Sequence, residues 1–420
     1  MDFIFSIVIG SLFATLFFVC VVWVYFLLYL IKSLRQSPIL GSVIRSDTNN
    51  NFPKVSIIVP ARNEEKYIGK CLQSLLEQDY PSFEIVAVND LSSDMTREIM
   101  NEYHIKDSKR ISVINIERKP DDWVGKNWAC YQGYLNSSGE VLVFTDADTV
   151  YSHHTVSLAI GHLMEQNLDA LTARPTLLFK SVWRSIIFPL LWAFSHINYS
   201  ALRVNDPKNK TAYLFGCFYV ITRRAYDAVG THEAVKNQII EDARLGEKIK
   251  EQKFRLKMVR GEHHVKTILA GDFATNWQGL RRSINLIPLS HRKHKINASP
   301  LTAIATFFLL IGPFILVPFS IFFSMPVNTL RENNLWGLAL LTINLIILVL
   351  MVSVSAIPSS IDLFRNPVYT LASPMASAII FGGLIVGIIN AKKKDIVIWK
   401  GRQYVVSTSS SSKRRTNLGR

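Results

Sequence analysis

The distribution of charged residues divides this chain of 420 residues into apolar stretches and one long mixed segment. Four stretches contain no charged residue, and they cover residues 3–31, 296–330, 333–361 and 366–391. Each is long enough to cross the hydrocarbon core of a bilayer, which takes about 20 apolar residues in a helix. The pattern therefore predicts a membrane protein whose apolar segments flank one water-soluble region.

These apolar segments define the predicted domains. The first stretch exceeds the length of a signal-peptide core and has no basic segment before it, so we interpret it as a retained anchor. The predicted divisions are an anchor at 1–31, a linker at 32–53, a soluble domain at 54–287, interfacial and transmembrane helices at 288–391, and a basic tail at 392–420. Residues 186–197 are also apolar, but their length favours an interfacial or acceptor-lining helix over a span.

Within the soluble domain, short apolar runs typical of buried strands alternate with helix-like segments. The predicted strands cover 55–59, 84–88, 111–116 and 141–145, with helices after each of the first three. This alternation predicts an α/β fold with a doubly wound, parallel sheet. In such a sheet, ligands bind beyond the carboxyl ends of the strands.

Acidic residues lie where two of these strands end. Asp146 and Asp148 follow strand 141–145, and Asp90 follows strand 84–88, so we expect all three at one edge, at successive strand ends. Two carboxylates at this spacing suit a hard divalent cation, Mg²⁺ or Mn²⁺, bridging to a diphosphate. An ordinary acidic turn is the alternative for the Asp146 pair. Because the sequence contains neither a G-x-G-x-x-G nor a P-loop, carboxylates and a metal must hold the nucleotide.

The net charge of +15 is concentrated beside the apolar segments. Nine basic residues against Asp395 give +8 to residues 392–420, and a second basic cluster covers 292–295. This placement fits anionic lipid headgroups, and no motif of a nucleic-acid-binding protein is present, so no nucleic-acid partner is expected. The four cysteines show no paired spacing, which favours reduced thiols and a cytoplasmic domain.

Basic flanks also predict the orientation in the cell membrane. Lys32, Arg35 and Arg45 follow the first stretch, which places the soluble domain in the cytoplasm. The same rule places the tail inside, whereas one span before the domain and three after it would place the tail outside. We follow the charges, because four prolines within 296–330 allow that stretch to dip in and return, or to break.

Several motifs together resemble the family 2 glycosyltransferases of the GT-A fold. They stand in the family's order across residues 53–287: Pro60-Ala-Arg-Asn63-Glu64, Asn89-Asp90 with Asp94, Asp146-Ala-Asp148 as the D-x-D, and Glu241-Asp242-Ala-Arg-Leu245 as the E-D-x-x-L. Three further motifs are similar to the membrane subgroup that glycosylates carotenoid or hopanoid-type lipids: Trp123-x-Gly-Lys126-x-Trp128, Gly230-Thr-His-Glu-Ala-Val235 and Trp399-Lys-Gly-Arg402-x-Tyr404.

The resemblance implies a role for each of these positions. Asp148, with Asp146, would bind the divalent metal, and Asp146 would lie nearer the ribose. The implied nucleotide-sugar site contains Pro60, Asn63, Glu64, Asp90, Lys126, Arg281 and Arg282. Asp90 and Glu64 would hold the uracil and ribose edges, Lys126 would reach the base or diphosphate, and the two arginines would grip the diphosphate. Asp242 would be the general base of an inverting displacement, with its proton affinity raised by Glu241.

The chain also departs from the family pattern. Processive synthases carry Q-x-x-R-W, whereas Gln278-Gly-Leu-Arg281 is followed here by Arg282, so we expect single-sugar transfer to a lipid acceptor. A membrane polysaccharide synthase is the alternative, and a transporter or scaffold with an inactive nucleotide-binding domain is an alternative of another class. Three assignments stay open: Asp94 as ligand or helix cap, His232 as a functional residue, and His263–His264 as metal ligands or surface residues.

Overall fold

The structure is a computed structural model that describes residues 2–41, 52–269, 300–324, 331–390, 395–399 and 402–406. Arg281 and Arg282, the predicted diphosphate contacts, lie outside the described residues. The helices are α1 Asp2–Gln36, α2 Ile68–Leu76, α3 Thr96–Lys106, α4 Gly125–Leu135, α5 Thr155–Glu165, α6 Val182–Asn198, α7 Ala201–Val204, α8 Arg223–Ala228, α9 Glu241–Glu251, α10 Pro300–Leu310, α11 Gly312–Ser324, α12 Arg331–Ile361 and α13 Ser373–Asn390. Short 3₁₀ helices cover His232–Val235 and Pro367–Ala372.

The strands are β1 Val55–Ala61, β2 Phe83–Asn89, β3 Ile111–Asn115, β4 Val141–Thr145, β5 Thr149–Tyr151, β6 Ala170–Arg174, β7 Thr176–Leu178, β8 Phe218–Thr222, β9 Leu256–Arg260, β10 Val265–Ile268, β11 Asp395–Trp399 and β12 Arg402–Val406. The predicted alternation of strands and helices from β1 to β4 is confirmed. The predicted helix at 186–197 forms the greater part of α6.

The central sheet has the strand order β3-β2-β1-β4-β8-β6-β9. The four strands from β3 to β4 are parallel, as predicted, whereas β8 runs antiparallel to both of its neighbours. Strand β1 separates β2 from β4, so the prediction that Asp90 and Asp146 lie at successive strand ends is wrong. They share one edge of the sheet, two strands apart, because the chain winds outward from β1 in one direction before it returns to add β4.

Strands β1 and β4 are neighbours in the interior of the central sheet. Every residue of both strands is buried, which explains their continuous apolar sequences. The pairing of β1 with β4 ends at Ile58, and Pro60 lies two residues beyond it. The pairing with β4 therefore does not need the N–H group that proline lacks. A second sheet has the strand order β5-β10-β7, and its strand β5 directly follows the D-x-D in the chain. Its strand β10 contacts the motif, because the Ile268 N–H donates to the Asp148 carbonyl at 2.8 Å.

In the described part of the chain, three helical segments are long and apolar enough to cross a membrane: Ile7–Gln36, Leu335–Ile361 and Pro367–Val386. A bent pair, Ala303–Leu310 and Gly312–Phe322, would be a fourth if it forms one span, and its two helices meet at 59°. These helices share an apolar core with α6. The predicted apolar segments are therefore confirmed as helices within the described ranges.

Helices α1 and α12 run in the same direction and both end at the soluble domain. Near their starts, the rings of Phe13 and Trp336 lie 6.0 Å apart. Beyond α1, Ile39 bridges to Arg260 of β9. Beyond α12, the Asp362 carbonyl accepts a hydrogen bond from the Leu177 N–H of β7. The starts of both helices therefore lie at the end of the bundle that is distal to the domain.

Candidate active site

A buried ion cluster lies at the carboxyl edge of the central sheet. The Lys126 ammonium, near the start of α4, lies 2.8 Å from Asp146 Oδ1 and 3.0 Å from Glu241 Oε1. Glu241 is buried, and the Lys126 side chain is only 18% exposed. Burial lowers the pKa of Lys126, but Asp146, Glu241 and Asp242 outweigh it and leave that pKa raised. The structure thus brings three predicted acidic residues, Asp146, Glu241 and Asp242, together around the predicted Lys126.

Asp242 lies in the first turn of α9, beside the glycine that precedes Cys217 and β8. The Gly216 N–H donates to Asp242 Oδ2 at 3.0 Å, and the Ala243 N–H donates to Asp242 Oδ1 at 2.8 Å. Burial raises the pKa of Asp242 to about 7, and repulsion by Glu241 adds to the rise. The direction is that expected from the sequence, although burial contributes more than the neighbouring carboxylate.

Gly216 permits this close approach of backbone and side chains. A Cβ atom at this position would lie 2.9 Å from both Asp242 Oδ2 and Lys126 Nζ. The sequence analysis missed this residue, although a glycine inside the apolar run Leu214–Tyr219 is a signal for close backbone packing.

We expect Gly216→Ala to lower the catalytic activity of this site at least about tenfold, because the added methyl group would displace the Asp242 carboxylate or the Lys126 ammonium. The measurement is initial rate against thermal stability. Gly69→Ala is the matched control, since its Cβ would meet only ordinary contacts of 3.5 Å or more inside α2. Equal activity in the two variants would contradict a requirement for glycine at 216.

The two aspartates of the D-x-D are partly exposed, while Ala147 between them is buried. The chain turns at Ala147 and Asp148 between β4 and β5, and the Thr149 N–H donates to the Asp146 carbonyl at 3.3 Å. The buried Cys71 thiol lies next to the D-x-D, with its Sγ 3.7 Å from the Asp146 carbonyl oxygen. Burial raises its pKa, and the negative charges of Asp148, Asp146 and Glu64 raise it further. The carboxylates of Glu64, Asp146 and Asp148 are therefore all close enough to influence this thiol.

Residues after β1 bind to the loop that follows β2. Asn63 has a φ of 53°, its N–H donates to Ser92 Oγ, and its Oδ1 accepts from the Ser93 N–H at 2.9 Å. Asp94 accepts from the N–H groups of Glu65 and Thr96, both at 3.1 Å. The side chains of Asn63 and Asp94 thus hold the two loops together, which favours the cap interpretation of Asp94.

Asp90, the predicted base contact, is buried and paired with an arginine from the distant carboxyl-terminal hairpin. Arg402 donates from Nη1 to Asp90 Oδ2 at 2.6 Å and from Nη2 to Asp90 Oδ1 at 3.0 Å. Arg62, the residue after β1, contacts the same loop. Its side chain donates to the carbonyl oxygens of Asp90 and Leu91, each at 2.7 Å. Sequence spacing gave no indication of the pair between Asp90 and Arg402.

Two of the subgroup-like motifs meet through a single asparagine that the sequence analysis missed. The buried Asn127 side chain donates to the carbonyl oxygens of Val235, Lys236 and Gln238 at 2.9–3.2 Å. This joins the start of α4, which carries Lys126, to the segment that leads into α9. The asparagine therefore fixes the distance between the lysine and the two acidic residues of the E-D-x-x-L.

His232 lies in a buried aromatic cluster beside this segment. Its Nδ1 is 2.6 Å from the Tyr226 hydroxyl, and its ring centroid is 5.0 Å from that of Phe144. Burial lowers its pKa to about 3, so the ring stays neutral. These contacts favour a packing role over the functional role expected from the resemblance. Thr231, just before His232, has a φ of 56°, a backbone conformation that favours glycine, so this threonine holds a strained backbone.

Two pairs of consecutive histidines, His153–His154 and His263–His264, contact other side chains. His264 Nδ1 lies 2.6 Å from Ser152 Oγ, and the His263 ring stacks on Phe364. His153 and His154 precede α5, and His154 Nδ1 lies 2.6 Å from Asp79.

Comparisons with known proteins agree with this geometry. Residues 56–230 match the family model described as glycosyl transferase family 2. The chain is 28% identical over 218 residues to the 4,4'-diaponeurosporenoate glycosyltransferase of Staphylococcus aureus strain bovine RF122 / ET3-1. The aligned residues cover 51% of this chain and 56% of that protein. The same-named protein of strain USA300 matches equally. The chain thus spans little more than half the length of these curated relatives.

A solved structure resembles most of the molecule. The mannosyltransferase PcManGT from Pyrobaculum calidifontis, in complex with GDP-Man and Mn²⁺, aligns with a TM-score of 0.54 and 16% identity, covering 91% of this chain and all of that one. At this identity the likeness concerns the fold alone. It confirms the predicted GT-A-like α/β architecture, and the family match confirms the predicted resemblance.

Proposed function

We propose that the protein, whose residues 56–230 match the glycosyl transferase family 2 model, transfers one sugar, with inversion, from a nucleotide sugar to a membrane lipid. One observation carries this proposal: Asp242, with its pKa raised to about 7, lies beside the ion cluster of Lys126 and Asp146. A carboxylate of that pKa is suited to remove a proton from an acceptor hydroxyl near neutral pH. The partial likeness to a carotenoid glycosyltransferase supports a lipid acceptor.

Asp148 and Asp146 would hold a divalent cation, Mn²⁺ or Mg²⁺. The donor set fits, because two partly exposed carboxylates at a strand end are hard oxygen ligands that leave positions for water or phosphate. When bound, the cation neutralises the charge that develops on the leaving diphosphate. Lys126 places a fixed positive charge next to Asp146, and this ammonium would stabilise the same diphosphate.

The acceptor is proposed to reach Asp242 from the side of the membrane helices. The ring of Tyr213 packs against Tyr199, which follows α6, and against Phe215. Helix α6 shares the apolar core of the membrane helices. A row of contacting aromatic rings therefore connects the end of α6 to Phe215 beside Gly216, and we propose that an apolar acceptor approaches Asp242 along this row.

The proposal is tested by incubating membranes that contain the protein with a panel of radiolabelled nucleotide sugars and extracting the lipids. Labelled lipid from one donor, with no labelled polymer left in the aqueous phase, is the expected result. Labelled polymer would favour the polysaccharide synthase. The absence of transfer from every donor would overturn the enzymatic proposal and favour an inactive nucleotide-binding domain.

A pH profile of kcat/KM for the donor is expected to rise up to about pH 7 and then level off, because Asp242 must be ionised to act as a base. Glu241→Gln should move the rising limb to lower pH, since the neutral amide no longer repels the Asp242 charge. A limb that stays at the same pH would mean that another group controls it.

The predicted cytoplasmic tail is supported by the contact between Arg402 and Asp90, which lies on the domain side of the bundle. Helix α11 packs antiparallel to α12, with Asn344 donating to Ser320 Oγ at 2.9 Å, so the chain reaches the distal end before α12 returns. We therefore propose that α10 and α11 form one broken span, and that α13, which packs on α6, is interfacial.

Cysteine labelling of intact cells with an impermeant reagent tests this arrangement. We expect no signal from Ser410→Cys and a strong signal from Asn328→Cys, which lies between α11 and α12 in the sequence. Lysed cells provide the positive control for Ser410→Cys, and the unmodified protein gives the background from the native cysteines. Strong labelling of Ser410→Cys in intact cells would overturn the proposed tail location.

A further inference from the structure

The hairpin of β11 and β12 inserts an arginine into the edge of the sheet where the proposed donor binds. The strands pair from Asp395 with Val406 to Trp399 with Arg402, so Arg402 lies at the turn end of the hairpin. Its guanidinium forms the two hydrogen bonds to Asp90 given above, in the parallel arrangement typical of strong arginine–carboxylate pairs.

Both partners of this pair are shielded from water. Asp90 is 2% exposed, and the Arg402 side chain is 16% exposed. Burial raises the pKa of Asp90, and Arg402, followed by Arg62 and Lys119, offsets only part of this rise. Lys119 donates to the Trp123 carbonyl at 2.8 Å and so belongs to the loop before α4. Among the described neighbours, Arg402 is the group that chiefly opposes protonation of Asp90.

The pair connects parts of the chain that are 312 residues apart. Arg402 offsets the cost of burying the Asp90 carboxylate, and the pair lies at the carboxyl end of β2, the edge of the sheet where ligands bind. The hairpin follows the last apolar helix and forms a sheet of its own, separate from the central sheet. Its position at Asp90 is explained if it encloses a ligand at that edge.

We propose that this hairpin completes the donor site and that Arg402 is a positioning residue, which keeps Asp90 ionised and oriented toward the nucleobase. The inference rests on the proposed function, because it assumes that a nucleotide sugar binds at this edge. An ionised carboxylate only accepts hydrogen bonds, so the base it recognises must present an N–H group. The two oxygens retain lone pairs for that N–H while Arg402 stays bound.

The test is a comparison of donor kinetics and nucleotide binding in the full-length protein. Arg402→Ala is expected to raise the donor KM and the Kd for UDP or GDP about 10- to 100-fold, the range for loss of hydrogen bonds to a charged group, with kcat changed less than about threefold. Arg402→Lys should recover part of the loss, because it restores the charge without the paired geometry.

Arg224→Ala is the matched control, since Arg224 also pairs with an aspartate, Asp169, at 2.7 Å but is largely exposed. This variant should bind nucleotide as the wild type does. A melting temperature measured without nucleotide separates a loss of folding from a loss of binding, and Arg402→Lys supplies the comparison if Arg402→Ala is unstable.

Four outcomes decide the inference. Unchanged nucleotide affinity in Arg402→Ala would overturn it, and tighter binding would also overturn it by showing that Arg402 competes with the base for Asp90. A wild-type protein that binds neither nucleotide would overturn the donor site and the inference together. A wild type that binds nucleotide but transfers no sugar would overturn the proposed reaction, while weaker binding by Arg402→Ala would still support the inference.

Discussion

Asp242→Asn is expected to lower sugar transfer by about 10²–10⁴-fold while nucleotide-sugar binding stays close to that of the wild type. Asparagine keeps the size of the side chain, and its carbonyl oxygen can still accept from the Gly216 N–H, which lies 3.0 Å from Asp242 Oδ2. It cannot take up a proton from the acceptor hydroxyl. The measurement is single-turnover transfer together with the Kd of the donor.

Glu241→Gln is the comparison variant for this experiment. Glu241 contacts Lys126 and adjusts the pKa of Asp242 without occupying its place, so we expect a smaller loss of activity. Product analysis adds an independent check, because one displacement converts an α-linked donor into a β-glycoside. Near-normal turnover of Asp242→Asn, or a product with retained configuration, would show that Asp242 is not the base of a single inverting displacement.

Asp148→Asn is expected to reduce transfer at least about 10²-fold and to raise the metal concentration needed for activity. Even loss of an outer-shell partner typically costs 10–100-fold in metal affinity or activity, and Asp148 would contact the cation directly. The wild type should lose activity in a chelator and recover it with Mn²⁺ or Mg²⁺. Metal titrations of transfer rate compare the two proteins.

Asp94→Asn is the control for this change of charge. Asp94 accepts hydrogen bonds from the backbone of Glu65 and Thr96, so its replacement should affect stability more than the response to metal. Full activity of Asp148→Asn in the presence of the chelator would contradict the metal assignment and leave Lys126 as the principal positive charge for the diphosphate.

The order of strands and helices from β1 to β4 could be predicted because it depends on short-range patterns. Runs such as Val141–Thr145 are apolar throughout, since they are buried on both faces of the sheet. The D-x-D could be recognised for the same reason, because charge that directly follows a buried strand stands out in the sequence. The apolar helices follow from length and composition alone.

The order of strands within the sheet could not be predicted from these patterns. Periodicity describes which residues are buried, but it does not specify the neighbours of a strand. The antiparallel β8 therefore remained unrecognised, as did the position of β1 between Asp90 and the D-x-D. Both depend on pairing between segments that are distant in the chain.

The sequence by itself determined the candidate carboxylates, the soluble domain between apolar segments and the charge that favours a cytoplasmic tail. Only the tertiary structure showed that Lys126 lies between Asp146 and Glu241, that Gly216 contacts Asp242, and that Arg402 binds Asp90. The physical reason is the same in each case. Burial and the approach of charges from distant segments set the pKa and orientation of a carboxylate, and both arise only when the chain has folded.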